Sequence, residues 1–275
     1  MRAPYGGPAI RLRRDLDDAE RDFFGTGSSG AVSTSEVVDF CGAGNGFLRT
    51  LYDQSGNARH FVQATNAVQP IVCESGVAVT QGGRLAAKFV AADAHRLAVD
   101  SSTGLYNFLH TTGGTVSIVS KANNTAAVKG LLNSNGGSTG ANGILLTRNT
   151  SEAVFFGASR LSGPTNGWSV QDTSTSTSTG HDVLVIQADP DNATAASRLF
   201  GWQNGTSLEG FVNSESGTPN TGDASANMTL GAYSSGTFAF DGTIQECVIY
   251  SALISAAIRA QVQNAMGSFY GITVA

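Results

Sequence analysis

The run Cys247-Val248-Ile249-Tyr250 is apolar without alternation, and a helical pattern begins five residues after it. An unbroken apolar run of this length reads as a strand covered on both faces. One of the covers is at hand. Ser255 is a good N-cap residue, Ile258, Val262, Met266 and Phe269 recur along one helical stripe, and Gly271 supplies the stop. Residues 227–271 therefore read as strand, Ser/Gly turn, long strand, and a helix over 255–270 that folds back on the sheet. The other face of that strand has to be covered from upstream.

Upstream the chain offers mostly short strands. Ile10 and Leu12 alternate with Arg11 and Arg13, the half-buried pattern. Further apolar stretches fall at 47–52, 115–120, 128–133, 144–148, 153–157 and 182–188, and residues 197–202 with 208–213 read as a hairpin. Residues 35–40 fit one helical turn opened by a serine. The punctuation is Gly, Asn and Ser; there are 34 glycines and only 13% charged residues, a texture of tight turns between strands. The expected fold is all-β, a two-sheet sandwich with one short C-terminal helix, residues 1–75 wrapping a jelly roll formed by 76–275. Two low-complexity stretches, 133–143 and 173–180, read as exposed loops or an edge.

The bulk properties remove several function classes. Net charge is −5, and no basic block offers a phosphate-binding surface, so nucleic acid is not an expected partner. No apolar segment approaches the ~20 residues of a membrane span, and the first residues lack the apolar core of a secretory signal. Cys41, Cys73 and Cys247 are odd in number and form no CxxC. A Cys41–Cys73 bridge and two ordinary core thiols both remain open. His60, His95, His110 and His181 form no HxH or HxxxH pair, which removes the simple zinc case.

Two stretches resemble known families. FDGTIQECVIYSALISAAIRAQV with the later YGI, residues 240–272, resembles the closing signature of concanavalin A-like, laminin-G-like jelly rolls of bacterial and phage proteins. IRLRRDLDDAERDFF, DFCGAG and YDQSGN, within the first 75 residues, are similar to the N-terminal part of the catalytic domain of α-L-arabinofuranosidase B and its bacterial and phage relatives. The second resemblance implies a glycoside hydrolase, which needs two carboxylates across the scissile bond. In that family the general acid/base lies in a Gly-Gly-Asp-Asn loop before the last long strand; here the loop is GAYSSG, residues 231–236, without an acid. The strand matching the nucleophile, residues 144–151, has no carboxylate before Glu152. The family's vicinal cysteine pair is absent, and Glu246 matches a glutamate of structural type. If the chain is enzymatic, Glu152 and Glu209 are its candidate acids.

Other letter matches carry little. GTGSSG at 25–30 lacks the βαβ context of a dinucleotide site, and GGSTG at 136–140 sits between strand-like runs instead of at a strand-to-helix elbow. Asp189, Asp191 and Asn192 offer oxygens for calcium, but a cage needs six or more and this spacing is also that of a plain turn. No other cofactor is implied. A sugar-binding surface combines an aromatic ring for the C–H face with amides and carboxylates for the hydroxyls. The candidates are Trp168, Trp202 and Tyr233, with Asp53 and Asn57 of the YDQSGN turn. Against this, both tryptophans fit a core, and Asp53 fits a self-capped turn in which Gly56 takes the left-handed conformation.

The expected function is non-enzymatic: a carbohydrate-binding, homo-oligomeric surface protein of a phage or phage-like particle, contacting host polysaccharide and other particle proteins. The particle assignment rests on the resemblance alone. A glycoside hydrolase and a purely structural particle protein are the alternatives.

Overall fold

A computed structural model of the chain describes residues 6–26, 30–123, 128–136, 141–148, 154–162, 165–169, 171–172, 180–208, 211–212 and 218–275. Its principal strands are β1 (Pro8–Arg14), β2 (Glu20–Thr26), β3 (Gly46–Leu51), β4 (Ile71–Glu74), β5 (Ala87–Phe89), β6 (Leu97–Ala98), β7 (Gly114–Ala122), β8 (Lys129–Asn133), β9 (Ile144–Arg148), β10 (Val154–Ser162), β11 (His181–Ala188), β12 (Leu199–Gln203), β13 (Thr206–Leu208), β14 (Thr229–Leu230) and β15 (Gly242–Tyr250). The helices are α1 (Thr34–Cys41) and α2 (Ala256–Tyr270). Neither is long and apolar enough to cross a membrane.

All pairings are antiparallel. One layer runs β13-β12-β11-β7-β15-β5-β4-β3-β1-β2. The other runs β6-β14-β8-β9-β10. The two-residue strand Phe61–Val62 pairs with both β3 and β6 and joins the layers at one side. Side chains alternate across each strand, and the interior takes one set: Val116 and Ile118 of β7, Leu184 and Ile186 of β11, Leu132, Leu146, Phe156 and Leu230 from the facing layer. This is the expected all-β sandwich.

The opposite face of the first layer is the one α2 covers. Val119, Val183 and Val185 pack with Met266 and Tyr270, and Val248 and Val262 close around them. Cys247 and Ile249 meet the sandwich interior, so the apolar run that opened the sequence reading is contacted from both sides. Ser255 caps α2 by accepting from the Ile258 amide at 3.3 Å, and Gly271 ends it at φ +69°. The buried stripe differs from the expected one. It is Gln263, Met266, Gly267 and Tyr270, while Ile258 is 47% exposed. The helix packs into this cluster from Val262 onward, while its first turn overhangs and reaches the sheet through Arg259, which lies over the Trp202 ring of β12.

Three further differences have local causes. Residues 20–26 have no strand pattern of their own, yet they form β2, because Arg11 of β1 pairs in register with Asp22 and holds it through two hydrogen bonds of 2.7 and 2.8 Å. The second strand of the β12 hairpin begins at Thr206, since Asn204 and Gly205 make a two-residue turn at φ +50° and +85°. Asn133, Ser134 and Asn135, expected in an exposed loop, are buried. Part of their polar complement is met internally: the Asn133 side-chain amide donates to Asn135 Oδ1 at 2.6 Å, and Ser134 Oγ accepts from the Ile144 amide at 3.0 Å.

The layers are also tied by charge. Arg148 of β9 donates to Asp182 of β11 at 2.7 Å, with 1% and 0% of the two side chains exposed. Both lie on the interior-facing side of their strands. Gln203 Nε2 donates to the other Asp182 oxygen. The cysteines are free thiols, and Cys41 and Cys73 are buried together beside Gly46, with the Cys41 thiol pushed up to about 12 by burial and by its hydrogen bond with Cys73.

Candidate functional site

The loop between β14 and β15 stands where the arabinofuranosidase resemblance places an acid. Gly231 turns the chain out of the sheet at φ +87°, and a Cβ there would lie 2.2 Å from the Phe89 ring, so only glycine fits. Hydrogen bonds from the Phe240 amide to Gly231 O (2.7 Å) and from the Tyr233 amide to Thr237 O (3.1 Å) close the loop. Residues 231–240 include no carboxylate. Tyr233 is 5% exposed, its hydroxyl pushed up to about 12 by burial, and its ring lies against Phe238 at 4.8 Å. The ring open to solvent is Phe238, 49% exposed and held at φ +50°, a strained backbone for a bulky residue.

The YDQSGN turn is built by its own aspartate. Asp53 Oδ1 accepts from the Ser55 amide at 2.8 Å and Oδ2 from the Arg59 amide at 3.0 Å, while the Asp53 amide donates to His60 Nδ1 at 3.0 Å. Burial raises the carboxyl's pKa, but the hydrogen bonds from Ser55 and Arg59 outweigh it and hold the group below its ordinary value. Asn57 donates to Ser55 Oγ at 2.8 Å, and Gly56 sits at φ +88°. Both residues are engaged in fixing the turn.

Asp189, Asp191 and Asn192 form a turn of the same kind. Asn192 donates its side-chain amide to Asp189 Oδ2 at 2.9 Å and accepts from the Thr194 amide at 2.9 Å, and its carbonyl accepts from Arg198 Nε at 2.8 Å. Among the described residues no group of three or more His, Cys, Asp or Glu side chains converges as a metal site. Glu152 and Glu209 lie outside the described residues. Trp168 stands opposite Ser159 in the hairpin that follows β10, and its ring lies outside what the structure describes.

Trp202 is the expected residue with the most developed surroundings. β12 presents Phe200 and Trp202 on the side that α2 covers, two residues apart and so on one face. Trp202 packs at the rim of the helix–sheet cluster. The Arg259 guanidinium of α2 lies over its ring at 3.6 Å, and Phe200 stacks beside it at 6.1 Å and 25°. Phe200 is 45% exposed, and Ile258 of the overhanging first helical turn is also open to water. Ser207 of β13, directly across from Trp202, is exposed. Burial pulls the Arg259 pKa below its ordinary value. No carboxylate among the described residues pairs with it. The sequence showed Trp202 as a candidate; Phe200 was legible only by alternation, and Arg259 only once the helix was laid on the strand.

Among the described residues, a cavity bordered by Ile10, Leu48, Phe89, Leu97, Leu230 and Gln245 measures about 60 Å³, far below the ~300–1,000 Å³ of small-molecule sites; another, of about 290 Å³, is lined by Thr26, Ala31, Ser33, Thr34, Gly83 and Arg84.

No protein-family model matches the sequence, and a comparison with curated proteins finds no match. Solved structures do match. A GH54 α-L-arabinofuranosidase soaked with a cyclic sulfate inhibitor superposes with a TM-score of 0.64 at 16% identity, over 97% of this chain and 60% of that one. The likeness decides the fold. A second arabinofuranosidase, complexed with arabinofuranosyl-α-1,2-xylobiose, gives a TM-score of 0.62 at 16% identity, over 96% of this chain and 59% of that one. The chain thus spans about 60% of the length of these enzymes. The CBM40 of a Ruminococcus gnavus IT-sialidase, bound to α2,3-sialyllactose, aligns at a TM-score of 0.46 and 15% identity over 67% of this chain and 94% of that one.

Proposed function

We propose that this chain is a non-enzymatic carbohydrate-binding surface protein whose sugar-facing platform is Phe200 with Trp202. The observation that carries the reading is the half-open Phe200 ring stacked on Trp202, with the Arg259 guanidinium over the Trp202 ring and exposed Ser207 directly across from Trp202. It joins an apolar face for the C–H side of a pyranose or furanose to donors for its hydroxyls. The fold shared with enzymes that act on arabinofuranosides supports a saccharide ligand, and the acid-free loop at 231–240 supports binding without hydrolysis. The finer reading is a concanavalin A-like domain on a phage or phage-like particle, as spike, fibre or decoration, in several copies that recognise host glycan. Repeated weak sites then act together.

A glycan array probed with the native chain and with Phe200→Ala tests this. Binding to a defined saccharide, weakened about tenfold by the substitution, is expected, since one lost ring contact is worth on the order of 1.4 kcal/mol. Undiminished binding by the variant removes this platform, and silence across the array together with firm incorporation into purified particles favours a structural role. A hydrolase remains the second reading because of the arabinofuranosidase fold. Release of arabinose from synthetic arabinofuranosides, abolished by Glu152→Gln or Glu209→Gln, would establish it.

A further inference from the structure

Arg259 is placed unlike any other arginine described in the chain. Arg11, Arg13 and Arg14 each have a carboxylate at 2.7 Å, Arg148 has Asp182, and Arg49 has Glu20 at 3.3 Å. Arg84 and Arg96 are held by backbone carbonyls, Arg198 donates to Asn192 O, and Arg21 and Arg59 lie over Phe23 and Tyr106 away from this face. Arg259 alone is laid flat on a tryptophan beside an exposed aromatic ring, half-buried and without an anion. Stacking uses the face of a guanidinium and leaves its N–H donors, which lie in the plane, free to meet a planar acceptor. The charge is therefore oriented and partly stripped of water before any ligand arrives.

The surroundings select the sign of that ligand. The chain carries net charge −5, yet the elements that build this face, β12, β13 and α2, bring it no Asp or Glu side chain and one guanidinium, Arg259. Arg198, in the turn ahead of β12, has its Nε oriented by the Asn192 carbonyl at 2.8 Å. The nearest acids in sequence, Asp189 and Asp191, belong to the turn ahead of Arg198, where Asp189 is bound by Asn192. A neutral sugar needs the Phe200 ring and a few hydroxyl partners. It does not need a desolvated guanidinium, which gains most from a charge-assisted, two-pronged bond to an oxyanion.

We propose that the face formed by Phe200, Trp202 and Arg259 binds saccharides bearing a carboxylate, the sugar's C–H face resting on Phe200 and its carboxylate accepting from Arg259. This rests on the carbohydrate reading above and names the class of sugar. The uronic acids of acidic polysaccharides are the simplest ligands with both halves.

The test is a titration of the full chain with an oligohexuronate and with its carboxyl-reduced, neutral counterpart, followed by tryptophan fluorescence and calorimetry. The acidic sugar is expected to bind at least about tenfold more tightly, the worth of one charge-assisted bond, with the preference shrinking as salt rises. Arg259→Gln is expected to erase the preference while the neutral sugar binds as before, and Arg259→Lys to keep only part of it. Circular dichroism and the urea midpoint establish that each variant is folded. Equal affinity for the two sugars, or a preference that survives Arg259→Gln, overturns this inference and leaves the carbohydrate reading standing. Failure of both sugars, on a chain also silent on the glycan array, takes the reading down with it.

Discussion

Removing the Asp182 carboxylate takes the ion-pair partner from a guanidinium held between two sheets. In Asp182→Ala, Arg148 keeps its charge, because guanidinium does not deprotonate in proteins, and it sits where 1% of its side chain reaches water. Breaking one partner of a buried pair costs about 3–5 kcal/mol. Unfolding entropy of ~2.1 cal/mol/K per residue over 275 residues amounts to about 0.6 kcal/mol/K, so the melting point should fall by about 5–9 °C. Arg148→Met leaves a carboxylate that can escape by taking up a proton, and Gln203 still donates to it. Its cost should therefore ease between pH 7 and pH 5, while that of Asp182→Ala should not. The double variant Arg148→Met/Asp182→Leu removes both charges and should recover most of the loss. Urea unfolding of the four proteins at both pH values compares these stabilities directly. A loss below 1 kcal/mol for Asp182→Ala, or a double variant no more stable than the worse single, would refute the claim that the pair is dry.

Two more outcomes follow from local geometry. Gly231→Ala should cost about 2–4 kcal/mol, because φ is +87° and the new methyl would lie 2.2 Å from the Phe89 ring; an unchanged urea midpoint would mean that the ring gives way freely. Burial holds His95, His110 and His181 below the ordinary imidazole value of 6.5. The unfolded chain therefore binds protons that the folded chain does not, so this stability is complete above about pH 6.5 and is lost as pH falls through the folded-state values. The urea midpoint should drop between pH 7.5 and 5.5, and less steeply in His110→Gln, which retains an amide donor for the Gly222 carbonyl now 3.0 Å from His110 Nε2. A midpoint indifferent to pH in the native chain would contradict the burial of all three.

What the sequence made legible was local. Ser255, the helical spacing after it and Gly271 all act within a few residues, so α2 could be bounded from the letters alone. The strands at 115–120 and 182–188 were visible for the same reason, since a two-sided cover leaves an apolar run. What escaped was set by partners far away in the chain. Glu20–Thr26 has no strand pattern of its own and becomes one because the arginines of β1 lie across from it. Arg148 and Asp182 are lone charges in two apolar runs, and only the facing of two sheets explains them. Tyr233 and Phe238 are both aromatic residues of one loop, and nothing in their order says which is buried. Ile258 fits the helical stripe in letters but overhangs the sheet in space.

β7 has both its neighbours downstream, β11 and β15. Neither edge of this strand can be satisfied until most of the chain exists, and one edge waits for residues 242–250. Formation of the sheet must therefore be paced by closing very long loops, the slow regime for antiparallel proteins. A nascent chain paused ahead of β15 would hold an apolar strand with an open hydrogen-bonding edge, a template for pairing with a second copy. Yield of this protein in a heterologous host should accordingly respond to temperature and chaperone supply more than to changes at the exposed Phe200–Trp202 face.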